Sequence, residues 1–299
     1  MPHALPETVR RLGRLEVRAR HVVEGFLSGM HRSPYFGQSL DFREHREYVR
    51  GDDPRHVDWK VWARQDRMVV KQYDEDTNLR GSVLLDVSAS MAYGRGPLTK
   101  HGYASTAACV LAYLLLRQND AVGCVAFDQQ VRGEAPQRSH RTHLNTIVDI
   151  VEPPPREPAT DIGANLEAAA ARLPKRGVVF LISDLMGDLE RLRRGLSQLR
   201  RRGHDLVVLH VMDDDELDFP FERPTRFEGL ESSEMLSCDP RALRTGYLAA
   251  LNRFLDEARE ACLSERAQYA LVRTSDPLDS VLTTVLSPRI DPRRSAGAR

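Results

Sequence analysis

The sequence predicts an α/β fold: a doubly wound, mostly parallel sheet of Rossmann type, preceded by a helix and a small β-rich module. Three observations lead there. Five short apolar runs, SVLLDVS (82–88), AVGCVAFD (121–128), VVFLISD (178–184), DLVVLHVM (205–212) and QYALVRT (268–274), are separated by helical stretches. The runs are continuous rather than alternating, as in strands buried on both faces. The intervals between them are long enough for right-handed crossover helices.

Taken in order, residues 9–30 carry Leu12, Leu15, Ala19, Val22, Val23, Phe26, Leu27 and Met30, whose spacings of three and four mark one apolar face of a helix. His31-Arg32-Ser33-Pro34 ends it. Residues 35–80 are charge-dense and leave room only for short strands, chiefly 68–73, with Gly51-Asp52-Asp53-Pro54 as a turn. Beyond Gly81, helices are expected near 99–118, 140–151, 161–173, 188–202, 240–266 and 277–287. Leu189, Leu192, Leu196 and Leu199 form the core face of one of them. Residues 129–133 suit a short antiparallel edge strand, and 227–231 with 235–238 a hairpin. The expected division is a helix and charged β-rich module over 1–80, an α/β domain over 81–290 with a hairpin insertion near 220–239, and a disordered basic tail over 291–299.

Composition removes several function classes. Lys and Arg number 43 and Asp and Glu also 43, so the net charge is zero and nucleic-acid binding is not expected. The four cysteines are scattered with no CxxC pair, which argues against a zinc site or a disulfide framework. The first sixteen residues contain no apolar core of a signal peptide, and the longest nearly uncharged apolar run, 105–116, is too short to cross a bilayer. A soluble, cytoplasmic protein is expected.

Ligand sites of doubly wound sheets lie beyond the carboxyl ends of the strands, where the strand order reverses. The first strand runs into Asp86-Val87-Ser88-Ala89-Ser90, and the third apolar run ends in Ser183-Asp184. Thr160-Asp161 precedes a helix that either residue could cap. Two carboxylates and three hydroxyls on one edge form an all-oxygen donor set, suited to Mg²⁺ before Mn²⁺ or Ca²⁺.

A DxSxS sequence after an apolar strand, a Thr before a later helix and an Asp ending a further strand resembles a von Willebrand factor A domain. The resemblance implies a metal-ion-dependent adhesion site at Asp86, Ser88, Ser90, Thr160 and Asp184, where a partner's carboxylate completes the metal coordination. Upstream, REYVRGDDPRHVDWKVWAR followed by DVSASM is similar to the bacterial family called domain of unknown function fifty-eight, over about 30–290. That resemblance implies a MoxR-type AAA+ ATPase as partner, in a chaperone-like or assembly system. Many members carry N-terminal membrane helices, but no membrane segment is expected here. GDDPRHVDW is read as a structural tie, and Asp213-Asp214-Asp215-Glu216 as a solvated acidic loop.

Catalysis is not expected. Ser88 stands where a haloacid-dehalogenase-type phosphatase needs its second Asp, Ser88 and Ser90 lack the glycines of GxSxG, and no glycine-rich phosphate loop follows a strand. The expected function is thus a non-enzymatic, Mg²⁺-dependent protein-interaction module. The alternative is a metal-dependent hydrolase activating water at the same oxygen cluster.

Overall fold

A computed structural model describes residues 15–30, 44–49, 59–65, 67–72, 79–96, 98–155, 161–230 and 235–290. Two compact units are present, divided near residues 26 and 79. In the smaller unit, β1 (Glu44–Glu47) pairs antiparallel with β2 (Val69–Gln72), Glu44 opposite Gln72. Between them in sequence lies α2 (Trp59–Gln65), a helix where only strands were expected. The segment WKVWARQ contains no Gly or Pro, spaces Trp59 and Trp62 one turn apart and ends with Arg64 at the negative end of the helix dipole. The two indoles meet edge to face at 5.9 Å and both are exposed. Residues 51–58 of GDDPRHVDW lie outside the described residues.

The larger unit receives the N-terminal part of α1 (Leu15–Met30), whose Leu15, Ala19, Val22 and Val23 are buried as the spacing predicts. Its sheet has six strands: β3 (Arg80–Asp86), β4 (Ala121–Phe127), β5 (Val131–Arg138), β6 (Gly177–Ser183), β7 (His204–Met212) and β10 (Gln268–Arg273). Their spatial order is β10-β7-β6-β3-β4-β5. Only β5 runs antiparallel, against β4. It is longer than the sequence suggested and contains Pro136, which an edge strand tolerates because one side of its ladder is unpaired. Counted within this sheet, the order is 3-2-1-4-5-6, so the topological switch falls between β3 and β6.

Helices α3 (Lys100–Arg117), α4 (His143–Val151), α5 (Ile162–Arg172), α6 (Leu189–Arg201), α8 (Pro240–Ser264) and α9 (Leu278–Ile290) fall where they were expected, within a few residues. Leu84, Leu181 and Val208 pack with Leu166, Leu192, Leu196 and Leu199 of α5 and α6. The alternate residues Val83, Leu85, Phe180 and Ile182 are equally buried, which strand period places on the opposite face. There α3 contacts β3, β4, β6 and β7, and it is apolar nearly all round, as a helix inside a core must be. The expected hairpin is β8 (Thr225–Glu228) paired antiparallel with β9 (Met235–Cys238), beginning two residues earlier than predicted. No helix of the described residues is long and apolar enough to cross a membrane.

Candidate functional site at the carboxyl edge of the sheet

Register brings the first two elements of the site together. Leu85 of β3 pairs with Ile182 of β6, so Asp86 and Ser183 end neighbouring strands at the switch point. Asp86 is fully buried. Its Oδ1 accepts the Ser88 backbone N–H at 2.9 Å and its Oδ2 accepts the Ser183 hydroxyl at 2.7 Å. The chain then turns through a short 3₁₀ segment, Ala89–Ala92, which sets the Ser88 and Ser90 hydroxyls 3.1 Å apart. Burial and the nearby Asp184 charge push the Asp86 carboxyl up to about 7, against the opposing pull of its hydrogen bonds.

Asp184 follows β6 directly and is also fully buried. The next residue, Leu185, is buried in the left-handed region at φ 55°, a conformation a leucine holds only where its surroundings require it. Its N–H bonds the Ser183 hydroxyl at 2.9 Å, and the Met186 N–H reaches Asp184 Oδ1 at 3.2 Å. The turn thus folds the Asp184 carboxylate back over the sheet edge.

The other Asp184 oxygen is taken by a residue the sequence reading did not single out. Lys100, the first residue of α3, is 1% exposed and places Nζ 2.8 Å from Asp184 Oδ2 and 2.8 Å from Glu216 Oε1. A cation at a helix N-terminus opposes the helix dipole, and a buried ammonium without counter-charges would lose its proton. Burial pulls the Lys100 pKa down, but the two carboxylates outweigh it and hold the ammonium protonated well above its ordinary value. In turn Lys100 overcomes the burial of Asp184 and keeps that carboxyl ionised below its usual range.

Glu216 corrects the reading of 213–216 as a solvated loop. These residues open α7 (Asp214–Asp218), capped by Asp213, whose side chain accepts from the Asp215 N–H at 3.1 Å while Glu216 Oε2 accepts the Asp213 N–H at 2.9 Å. The spacing D-x-x-E is a capping pattern, and it tethers the Glu216 side chain so that its other oxygen meets Lys100. Asp213 is itself buried and accepts the Thr274 hydroxyl at 2.7 Å.

Beside Lys100 opens a groove of about 530 Å³ lined by Ser90, Tyr93, Glu216 and an aromatic group from three elements. Phe219 at the end of α7, Phe221, Phe227 of β8 and Tyr247 of α8 contact one another with ring centroids 4.6–5.7 Å apart. The Tyr247 hydroxyl donates to the Glu216 carbonyl at 3.0 Å, joining the groove wall to the same helix that supplies the Lys100 partner.

Four of the five expected site residues, Asp86, Ser88, Ser90 and Asp184, therefore meet at one edge. Thr160 lies outside the described residues. Its neighbour Asp161 caps α5 by accepting the Ala164 N–H at 3.0 Å and pairs with Arg191. Of the four, Asp184 gives one carboxylate oxygen to a cation of the chain itself. Lys100 already neutralises the carboxylate that would hold a divalent cation, and among the described residues no group of three or more His, Cys, Asp or Glu side chains is disposed to bind a metal ion.

One protein family, one further protein and two solved structures are similar to this chain. The profile of the family described as protein of unknown function DUF58 matches residues 44–254. Uncharacterized protein Rv1480 of Mycobacterium tuberculosis is 27% identical over 250 residues, covering 82% of this chain and 78% of that one. Among solved structures, a conserved hypothetical protein BatB from Bacteroides thetaiotaomicron aligns with a TM-score of 0.46 at 14% identity, covering 71% of this chain and 98% of that one. The SpRpn10 VWA domain aligns with a TM-score of 0.40 at 14% identity, covering 69% and 94%.

Proposed function

The chain belongs to the family described as protein of unknown function DUF58, and from that premise we propose that it is a non-enzymatic protein-interaction module that binds its partner at the carboxyl edge of the sheet. The observation that carries this reading is the aromatic groove of Phe219, Phe221, Phe227 and Tyr247, open beside the Asp86–Asp184 turn. Clustered aromatic side chains in a concave, partly polar setting are the usual anchors of protein contacts.

Reaction chemistry has less support. The carboxylates named at this edge are held in structural contacts: Asp86 by the Ser183 hydroxyl and the Ser88 N–H, and Asp184 and Glu216 by Lys100. The partner implied by the family resemblance is a MoxR-type AAA+ ATPase acting with this protein in a chaperone-like or assembly system. A Mg²⁺ ion on Asp86, Ser88, Ser90, Thr160 and Asp184 bridging to a partner carboxylate is the metal-dependent version of the same proposal, and it requires Lys100 to release Asp184.

The test is a pulldown of the purified ATPase by wild type, Phe221→Ala and Phe227→Ala, each with Mg²⁺ or with EDTA. Retention by wild type and a loss of about tenfold or more in either variant, the size of an interface hot spot of more than about 1 kcal/mol, is the expected result. Equal retention by all three proteins removes the groove from the contact. Loss of retention in EDTA restores the metal bridge.

A further inference from the structure

We propose that Lys100 is the resident cation of this adhesion-type site and closes it to divalent metal ions. The argument rests on geometry. The DxSxS turn and Asp184 bring their oxygens to the switch point as the expected metal site requires, yet the positive charge there belongs to the chain itself. The ammonium contacts one oxygen each of Asp184 and Glu216 at 2.8 Å, within the range of a charge-assisted hydrogen bond. A dication placed on Asp184 would stand within a few ångströms of a full positive charge in a setting where water does little to screen their repulsion.

The other carboxylate oxygens each have a partner too. Asp184 Oδ1 accepts the Met186 N–H, Asp86 accepts the Ser88 N–H and the Ser183 hydroxyl, and Glu216 Oε2 caps α7. An octahedral Mg²⁺ demands geometry close to ideal and gives up its waters reluctantly, so it does not displace such a network cheaply. Lys100 thus does for the fold what a bound ion would do: it neutralises two buried carboxylates and ties α3, the β6 turn and α7 at one point. Partner binding at this edge then needs no metal. That last consequence rests on the interaction reading above; the closure to metal does not.

Titration of the full chain with Mn²⁺, followed by electron paramagnetic resonance, tests the closure, together with thermal unfolding in millimolar Mg²⁺, in Mn²⁺ or in EDTA. Wild type is expected to leave Mn²⁺ free and to unfold at the same temperature in all three. Lys100→Met, which vacates the cation position but keeps the stem, is expected to gain one Mn²⁺ site and a Mn²⁺-dependent rise in unfolding temperature. Adding Asp184→Asn to Lys100→Met should abolish both. If Lys100→Met folds only in the presence of Mn²⁺, the result supports the proposal in the same way, because the ion then replaces the ammonium.

Stoichiometric Mn²⁺ or Mg²⁺ binding by wild type, lost on Asp86→Asn, overturns the proposal without recourse to any other variant. So does a Lys100→Met protein that folds and gains no Mn²⁺ site. Failure of the ATPase pulldown would count against the interaction reading and leave the metal titration untouched.

Discussion

Lysine is scarce here, four residues against 39 arginines, and Lys100 occupies a place an arginine suits poorly. A compact ammonium on an unbranched stem fits between Asp184 and Glu216, whereas a planar guanidinium is larger and needs a forked partner. Removing the charge strands two buried carboxylates, so Lys100→Ala is expected to lower stability by about 3–5 kcal/mol in urea unfolding without metal. The next residue titrates. His101 is buried against the Ser105 hydroxyl, and burial depresses its pKa to about 4. A histidine held below its ordinary 6.5 binds fewer protons folded than unfolded. Its neutral form is therefore accommodated above pH 6.5, and stability falls as the pH drops from there toward 4, by about 3 kcal/mol in all. Urea midpoints measured across that window should fall more steeply for wild type than for His101→Gln. The residues of this site differed in how legible they were. Asp86, Ser88, Ser90 and Asp184 could be found because strand ends at a switch point are local features of the chain. The pairing of Lys100 with Glu216 could not, because it joins positions 116 residues apart, and the capping pattern that holds Glu216 says nothing of its distant partner.

Elements show the same division between local and distant causes. The five apolar strands were readable because their burial on both faces leaves continuous apolar runs. So was the core face of α6, where Leu192, Leu196 and Leu199 are buried and Leu189 is partly covered. Helices α2 and α7 were not anticipated, since both are shorter than two full turns' worth of periodic signal. For α7 the cue lay in the capping residues, Asp213 and Glu216, rather than in any apolar face. The meeting of α5 and α6 depends on two glycines that periodicity does not weigh. A Cβ on Gly195 would lie 2.6 Å from Leu166 Cβ, and one on Gly163 would lie 2.6 Å from Arg191 Cβ. Both positions are inside helices, where alanine is otherwise the better residue. Gly195→Ala should nevertheless destabilise the protein, by about 1–3 kcal/mol, because the helices must separate to admit the methyl group. A lower urea midpoint with an unchanged slope is the expected record; a midpoint that rises would show that helix propensity outweighs the close approach.

At the scale of the whole molecule, the zero net charge conceals a strong internal arrangement. Arginines cover the outer face of α6, while carboxylates gather at one sheet edge, where Lys100 matches Asp184 and Glu216 and Arg273 matches Asp214 and Asp218. The two ion pairs of that lysine span 84 and 116 residues. Closing loops of that length is slow compared with forming α3 or pairing adjacent strands. The clasp therefore belongs to the last stage of assembly, after β6 and α7 have docked. Lys100→Ala should accelerate unfolding and leave the refolding rate nearly unchanged in stopped-flow measurements, because the contact is absent from the transition state. A nascent chain that has emerged only as far as the turn after β6 has Lys100 and Asp184 but no Glu216, and it has none of the four aromatic residues of the groove. The groove proposed to face a partner thus comes into being only after residue 247 has been made.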